Sequence, residues 1–204
     1  MTTVMSRRER KKADLRAQII STAIRLFSRH GFGGVTVEKI AEAADIGKGT
    51  IYNYFSTKED IVVAFLAEIE VRVQARLGRF VADDCPLESI LAEFIEFQFR
   101  LKKPYHRFVR VFLGQMFLNT EQFLPYMVEM QKVIDPQLEA LFRGLQGRGL
   151  MRAEIDIPEL IVAFKTMHLG LTALWAIEGP PFRQTSKAVQ QEMKLFCEGL
   201  GRKR

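Results

Sequence analysis

The stretch of residues 36–55 concentrates side chains that can hydrogen-bond to an extended polar surface. Its second half, Lys-Gly-Thr-Ile-Tyr-Asn-Tyr at 48–54, offers an ammonium, three hydroxyls and an amide around one glycine. At helical spacing Ile51 and Phe55 face inward together, and Gly49 points away from them. A solvated face ordinarily carries long charged side chains, and glycine costs about 1 kcal/mol relative to alanine in a helix. The pattern therefore favours a helix that lies against another large surface and donates to phosphates and base edges.

Two local signals position this helix. Thr36 precedes an apolar helical run, Val37–Ala44, and is a typical N-cap. A tight turn then leads to the second helix, Lys48–Tyr54, which is about 10 Å long and fits a DNA major groove. Asp45 tolerates the left-handed conformation that such a turn needs, whereas Gly47 has no hydroxyl to cap the second helix. This layout is a helix-turn-helix; the alternative is a helical hairpin with exposed aromatic side chains.

The net charge of +6 is concentrated at the two ends of the sequence. Six basic residues lie between positions 7 and 16, and Gly-Arg-Lys-Arg stands at 201–204. A basic amino-terminal arm suits a polyanion, either a nucleic acid or an anionic membrane surface, and a solvated, frayed terminus is the alternative. The closing segment is interpreted as a polar tail.

Nearly the whole sequence follows helical periodicity, and no stretch alternates for long with the two-residue period of a strand. A long helix is expected from Lys58 to about Arg79, and prolines and glycines punctuate the helical segments after it. We predict an all-α protein of about nine helices. A three-helix DNA-binding domain with the helix-turn-helix is expected at 1–57, and a larger helical domain at 58–204.

Four short motifs follow one another along the first third of the sequence: Ile19-Ile20-x-x-Ala23-x-x-Leu26-Phe27, Gly31-Phe32, Thr36-Val37-x-x-Ile40-Ala41 and Lys48-Gly49-Thr50-Ile51-Tyr52-x-Tyr54-Phe55-x-x-Lys58-Glu59. Together they resemble the DNA-binding domain of the tetracycline-repressor (TetR) family of bacterial transcription regulators. The resemblance covers the first third of the chain, and the remainder fits the family in length and helical content. Asp45 stands where the family often has glycine, and Gly47 stands where serine or threonine is usual.

The resemblance implies a cytoplasmic homodimer that places two recognition helices in successive major grooves of a palindromic, double-stranded operator. Carried over by position, the DNA-facing residues are Thr36, Lys48, Gly49, Thr50, Tyr52, Asn53, Tyr54 and Lys58. The two lysines and Tyr54 are predicted to contact phosphates. Thr50, Tyr52 and Asn53 are predicted to contact base edges or thymine methyl groups. The basic segment 7–12 is expected to add phosphate contacts or to enter the minor groove.

The larger domain is rich in Phe and Met at helical spacing, which most often marks a core. Its segments are apolar on more than one side, and such packing can leave a cavity. In the family this domain binds a small molecule and thereby releases DNA. The predicted wall residues are Phe94, Gln98, Phe108, Phe112, Met116, Met127, Met130, Met167 and His168. For His168 the alternative is a hydrogen-bonded core residue.

The last two helices are predicted to form the dimer contact, in the intersubunit four-helix bundle that the resemblance implies. The first of these helices has a broad apolar face. On the second, apolar side chains repeat at spacings of three and four residues. The predicted interface residues are Phe164, Leu171, Trp175, Val189, Met193, Phe196 and Leu200. The alternative is that they complete the core of their own subunit. Segment 160–177 contains Lys165 and His168, so we interpret it as a buried helix and expect no membrane partner.

The sequence gives little support for catalysis. The three histidines are widely spaced, Asp83-Asp84 is a single acidic pair, and the sequence contains no glycine-rich phosphate loop. Two cysteines are too few for a disulfide framework or a tetrahedral zinc site. We therefore expect no enzyme activity, no metal and no cofactor; the expected partners are operator DNA, a small hydrophobic effector and a second copy of the chain. A ligand-independent DNA-binding protein, either a constitutive repressor or an architectural protein, is the alternative.

Overall fold

The computed structural model describes residues 6–200, and the regular secondary structure in this range is helical. In chain order the helices are α1 (Arg7–His30), α2 (Val37–Ala43), α3 (Lys48–Tyr52), α4 (Lys58–Gln74), α5 (Leu77–Ala82), α6 (Leu87–Lys102), α7 (His106–Leu118), α8 (Thr120–Gly147), α9 (Ile157–Glu178) and α10 (Arg183–Glu198). A 3₁₀ turn, Lys103–Tyr105, joins α6 to α7. The predicted all-α fold is confirmed. The basic segment 201–204 lies outside the described residues.

Helix α1 begins earlier than its apolar stripe alone indicates. Ser6 and Glu9 form a capping box: the Glu9 amide donates to Ser6 Oγ at 3.2 Å, and the Ser6 amide donates to Glu9 Oε2 at 2.7 Å. These bonds satisfy backbone amides that the start of a helix leaves without partners. The basic residues from Arg7 onward are therefore the first turns of α1, which corrects the expectation of an arm or a frayed terminus.

The chain forms two compact units. The first takes the residues up to Leu66 together with Val111–Tyr126, and the second takes Ala67–Arg110 together with the residues from Met127 onward. Helices α4, α7 and α8 each run from one unit into the other. The expected division into 1–57 and 58–204 follows chain order, whereas each of these units combines two segments.

The core of the first unit is built on the inner stripe of α1. Ile19, Ala23 and Phe27 are completely buried, as are Ile40 of α2 and Ile51 of α3. Helix α2 packs against both α1 and α3. Burial of large aliphatic and aromatic side chains is the main favourable term in folding such a small unit, so the inner face of α3 is fixed by the same core that holds α1.

The second unit is centred on α6, α9 and α10, each of which packs against the other two. Phe94 of α6 and Phe164 of α9 are 2% and 1% exposed, and their ring centroids are 6.1 Å apart. Helix α9 is long and apolar enough to cross a membrane. Its Phe164, Leu171 and Trp175 side chains are nevertheless buried within the chain, as in the core helix of a globular unit.

The long helix expected to continue to about Arg79 ends at Gln74, and the short helix α5 follows it. The Arg76 amide donates to the Val73 carbonyl, three residues back, at 3.0 Å. Such a tightened turn ends an α-helix. The Arg76 guanidinium then lies 4.7 Å from the centroid of the Phe97 ring, a cation–π contact that helps to fix the new chain direction.

Candidate nucleic-acid interface

The α2–α3 hairpin is held by its own turn and by α1. The Thr36 hydroxyl accepts a hydrogen bond from the Lys39 amide at 3.3 Å, which confirms Thr36 as the N-cap of α2. Asp45 has a φ of 54°, the left-handed conformation expected for this turn. Gln18 Nε2 of α1 donates to the Ala44 carbonyl at 2.8 Å. This bond satisfies a carbonyl at the end of α2 and attaches the hairpin to α1.

Helix α3 has the inner and outer faces that the sequence predicts. Ile51 is completely buried, whereas Gly49 and Asn53 are exposed and Tyr52 is 47% exposed. A β-carbon added at Gly49 would have no packing contact within 4 Å among residues 6–200. The fold therefore does not require glycine at position 49. At this point the outer surface of α3 is bare backbone flanked by polar side chains.

The α-helical part of α3 is shorter than the predicted Lys48–Tyr54. The Asn53 amide donates to the Thr50 carbonyl at 3.2 Å, and the Tyr54 amide donates to the Ile51 carbonyl at 2.8 Å. These bonds span three residues, so the last turn tightens instead of continuing as α-helix. Thr50 and Tyr54 are half-buried, which leaves Tyr52 and Asn53 as the more accessible side chains of this turn.

Lys48 already has an acidic partner. Its ammonium forms an ion pair with the Glu38 carboxylate of α2 and lies 5.9 Å from the centroid of the Tyr52 ring. The hydrogen bond between the two side chains lowers the pKa of Glu38 to about 2 and raises the pKa of Lys48. More than half of each side chain is exposed, so salt screens the pair strongly and a competing anion can displace Glu38.

Lys58 ties the start of α4 to the loop after α1. Its Nζ donates to the carbonyls of Phe32 at 2.8 Å and Val35 at 3.3 Å, and it lies 4.3 Å from the centroid of the Phe32 ring. Two of its three N–H donors are thus used within the protein, and one remains for a phosphate. The Thr57 amide donates to Asp60 Oδ2 at 2.8 Å and the Asp60 amide to Thr57 Oγ1 at 3.1 Å, so a reciprocal cap begins α4.

The predicted wall residues of the effector cavity are divided between the two units. Phe112 and Met116 belong to the first unit. The others belong to the second unit, where they lie on α6, α7, α8 and α9: Phe94, Gln98, Phe108, Met127, Met130, Met167 and His168. The α6 residues and Phe108 are buried, whereas the methionines of this group and His168 are half-buried.

The second unit also buries charged groups that the sequence reasoning missed. Lys102, the last residue of α6, is 9% exposed, and Glu70 of α4 is 8% exposed. Burial lowers the pKa of Lys102 and raises the pKa of Glu70, and the charge of each opposes the shift of the other. Lys102 continues the inner stripe of α6 from Ile95 and Gln98 at spacings of three and four. This helical spacing is the sequence signal that indicates burial of Lys102.

His168 lies among aromatic rings, and the hydrogen-bonded core residue considered as the alternative stays a prediction. Its ring stacks with Phe99 and Phe164, at centroid distances of 6.1 and 6.3 Å. Its Nε2 atom is buried and has no hydrogen-bond partner in the described part of the chain. Burial lowers the pKa of His168 to about 3, assisted by the nearby positive charge of Lys102, so the imidazole is neutral at pH 7.

The side chains predicted to form the dimer contact lie mostly in the core of their own chain. Those no more than 9% exposed are Phe164, Leu171, Trp175, Val189, Met193 and Leu200. Phe196 is half-buried, with its ring centroid 6.0 Å from that of Phe164. A side chain that its own subunit already covers has no surface left to bury against another subunit. These side chains form the inner faces of α9 and α10, and the intersubunit seam predicted for them stays a prediction.

The outer face of α9 is largely apolar and exposed, whereas the exposed residues of α10 are mostly polar or charged and include Leu195. Val162 and Leu195 are each 61% exposed, and Ile177 is 73% exposed. A groove of about 570 Å³ runs along this surface, lined by Ala163, Thr166, Met167, Gly170, Leu171, Leu174, Ala188 and Glu192. Exposed apolar side chains on helices that also line a groove, half of whose lining residues are small, are typical of a surface that another helix covers.

Both the sequence and the fold resemble known transcriptional regulators. Residues 19–65 match the profile of the tetR family of bacterial regulatory proteins. The chain is 37% identical to the regulator TcmR of Streptomyces glaucescens over 78% of this chain and 83% of TcmR. It is 27% identical to RutR of Escherichia coli over 95% and 94% of the two chains. The fold matches FadR of Bacillus subtilis, solved with stearoyl-CoA, with a TM-score of 0.71 at 22% identity over 90% of this chain and 98% of FadR.

Proposed function

Because this chain belongs to the TetR family of bacterial transcriptional regulators, we propose that it is a cytoplasmic, non-catalytic repressor that binds a palindromic operator as a homodimer and is released by a small effector. One observation carries the DNA-binding part of the proposal. The outer face of α3 exposes Gly49, Tyr52 and Asn53 directly above the completely buried Ile51.

Helix α3 is proposed to enter the major groove. Its five α-helical residues span roughly 7.5 Å, and the groove is about 12 Å wide. The bare backbone at Gly49 permits close approach to the base pairs. The Asn53 amide can pair with adenine through two hydrogen bonds, and the Tyr52 hydroxyl can donate to a base acceptor. The Thr50 methyl group suits contact with a thymine methyl group.

Phosphate contacts are proposed to orient this helix. Lys48 would exchange the Glu38 carboxylate for a phosphate, an exchange between two solvent-exposed partners. The remaining donor of Lys58 and the hydroxyls of Thr36 and Tyr54 would supply further contacts. The basic first turns of α1, now assigned as helix, would add charge that attracts the DNA backbone without selecting a sequence.

Dimerisation is proposed through the outer faces of α9 and α10 in place of the buried residues predicted from sequence. Each chain presents one recognition helix, and a palindromic operator needs two. Val162, Ile177 and Leu195 offer apolar surface that a second copy of the chain would cover. The groove lined by other residues of α9 and α10, including Ala163, Gly170 and Ala188, can accept side chains of the partner's helices.

The second unit is proposed to bind the effector among Phe94, Phe108 and the methionines of α8 and α9. FadR, which shares the fold, was solved with an amphipathic ligand, stearoyl-CoA, which supports a ligand of mixed apolar and polar character. Helices α4, α7 and α8 continue from this unit into the DNA-binding unit. A ligand that prefers one arrangement of these helices would shift the population of DNA-competent dimers.

The proposal is tested by selecting bound duplexes from random DNA and measuring affinities by fluorescence anisotropy. The protein should prefer the selected duplex over its scrambled form, and the logarithm of affinity should fall with the logarithm of salt concentration. Asn53→Ala should reduce the preference by about 1–3 kcal/mol, while Asn119→Ala, at the exposed turn between α7 and α8, should leave it unchanged. Failure to select any sequence, or an unchanged preference in Asn53→Ala, would contradict the proposed role of α3.

A further inference from the structure

We propose that Lys102, Gln98 and His168 bind the anionic end of the effector, and that the effector is a carboxylic acid with an apolar body. The inference rests on the proposed function, because it assigns the chemical class of that regulator's ligand. The three residues lie on α6 and α9 within the second unit.

Two buried nitrogens of this cluster have fewer or longer hydrogen bonds to the described residues than buried groups normally have. His168 Nε2 has no partner among residues 6–200. Lys102 carries three N–H donors, and the hydrogen bond that its ammonium makes to a described side chain is a long one, 3.5 Å to Gln98 Oε1. Most buried polar groups in native proteins are satisfied. A ligand that brings acceptor oxygens would satisfy both nitrogens at once.

The buried Lys102 ammonium is the group of this cluster that attracts an anion. Lys102 stands at the carboxyl end of α6, where the helix dipole stabilises a cation. The acidic group whose charge acts on Lys102 is Glu70, and burial raises the pKa of Glu70. A ligand carboxylate beside Lys102 would raise that pKa further. Glu70 would then take up a proton as the ligand binds, so that Lys102 keeps a single negative partner.

The surroundings of His168 select an apolar body behind the carboxylate. The imidazole stacks with Phe99 and with Phe164, and Phe164 packs on Phe94. The neutral imidazole donates from Nε2 in the tautomer that carries its proton there. One carboxylate can therefore accept from Lys102 Nζ and from His168 Nε2, while the rest of the molecule lies against aromatic rings.

The test uses matched pairs of carboxylic acids and alcohols with the full-length protein. Isothermal titration would compare straight-chain acids of six to twelve carbons, phenylacetate and 3-phenylpropionate with the alcohol of the same carbon skeleton. At least one acid should bind about tenfold to a hundredfold more tightly than its alcohol. If no acid in the panel is preferred over its alcohol, the inference is overturned.

Two substitutions and one control locate the site. Lys102→Met replaces the buried ammonium by an apolar group of similar length, and it should abolish the preference for the acid while leaving the affinity for the alcohol unchanged. His168→Phe keeps an aromatic ring in the stack and should weaken acid binding by about tenfold. Lys103→Met, next to Lys102 but exposed, should bind like the original protein. Thermal unfolding of each variant establishes that it is folded, and an intact acid preference in folded Lys102→Met refutes the site.

Proton uptake gives a second measurement that does not depend on affinity. Titrations in buffers with different ionisation enthalpies should show net proton uptake when the preferred acid binds, and Glu70→Gln should remove it. DNA binding is measured on the same samples. If the protein binds its selected duplex but shows no acid preference, the proposed carboxylate site is refuted and the proposed DNA-binding function is retained. If it binds acids but no duplex, the proposed function fails instead.

Discussion

The two units place their polar groups in opposite ways. In the first unit the donors of α3 are exposed above a core in which Ile40 and Ile51 are completely buried. In the second unit Lys102 and Glu70 are buried, and a buried nitrogen of His168 has no hydrogen-bond partner between residues 6 and 200. Water satisfies an exposed donor until its partner arrives, whereas a buried unpaired group costs about 1–3 kcal/mol. The exposed donors of the first unit therefore cost little before a partner binds, whereas pairing the buried polar groups would stabilise the second unit.

This difference suits the two proposed tasks. A surface that searches DNA must keep one shape before and after contact, because non-specific encounters are frequent. A unit that reports a ligand must instead favour a different arrangement when the ligand is present. Unpaired buried groups provide that bias, since a ligand that pairs them stabilises the arrangement in which it binds.

The largest expected effect separates the inner face of α10 from its outer face. Val189 is completely buried and Leu195 is 61% exposed. Val189→Glu would bury an unpaired charge and should destabilise the fold by at least about 3–5 kcal/mol. Leu195→Glu should leave the chain folded and yield monomers by sedimentation, because the charge would lie in the proposed interface. An intact dimer in Leu195→Glu would place the interface elsewhere.

The next effect concerns the exposed side of α3. Gly49→Leu finds open space in the protein and should stabilise the helix slightly, by up to about 1 kcal/mol. A leucine there would hold the helix away from the base pairs, so affinity for the selected duplex should fall at least about a hundredfold, or about 2.7 kcal/mol. The control is Gly114→Leu on α7, where the space is also open. Equal duplex affinity in the two variants would contradict close approach at Gly49.

Acid sensitivity is expected from the second unit. The pKa of His168 is lowered to about 3 in the folded chain from an ordinary value of 6.5. Between these values the unfolded chain binds more protons, so the free energy of unfolding decreases as the pH falls, by up to about 1.4 kcal/mol per pH unit. Relative to pH 8, this contribution lowers stability at pH 5 by about 2 kcal/mol.

His168→Phe should make the pH dependence shallower by that amount. Phenylalanine keeps the ring stack with Phe99 and Phe164 and removes the titrating group. Both proteins retain Glu70 and Lys102, so the difference between their urea-denaturation curves at pH 5 and pH 8 isolates His168. If the free energy of unfolding changes equally with pH in both proteins, burial does not lower the pKa of His168.

The first unit was largely predictable because its determinants are local in sequence. The spacing of Gly49, Ile51 and Phe55 specifies the two faces of α3, and Thr36 caps α2 as its residue type indicates. The same kind of signal is present at α1, where Ser6 and Glu9 form a capping box, whereas the charge of the residues that follow does not indicate a helix. Local patterns sufficed wherever one helix side is polar and the other apolar.

The second unit was less predictable because its helices are apolar on more than one side. Helix α9 carries Phe164 and Trp175 inward and Val162 and Ile177 outward, and periodicity does not distinguish a face that meets its own core from one that meets another subunit. The cluster of Lys102 and His168 joins residues that are distant in sequence. The packing of α6 and α9 against each other and against α10 brings them into one unit.

The smallest expected effect concerns the turn between α2 and α3 in the first unit, where the backbone of Asp45 is expected to be strained. Asp45 adopts a left-handed φ of 54°, which glycine adopts without steric cost. Asp45→Gly should therefore raise the free energy of unfolding by about 0.5 kcal/mol, after the larger entropy that glycine gives the unfolded chain is subtracted. Asp83→Gly, at a φ of −66°, incurs that entropy with no strain to relieve and should lower stability. Chemical denaturation at pH 7 measures both, and a loss of stability in Asp45→Gly would mean that the aspartate side chain contributes more to the turn than its backbone strain costs.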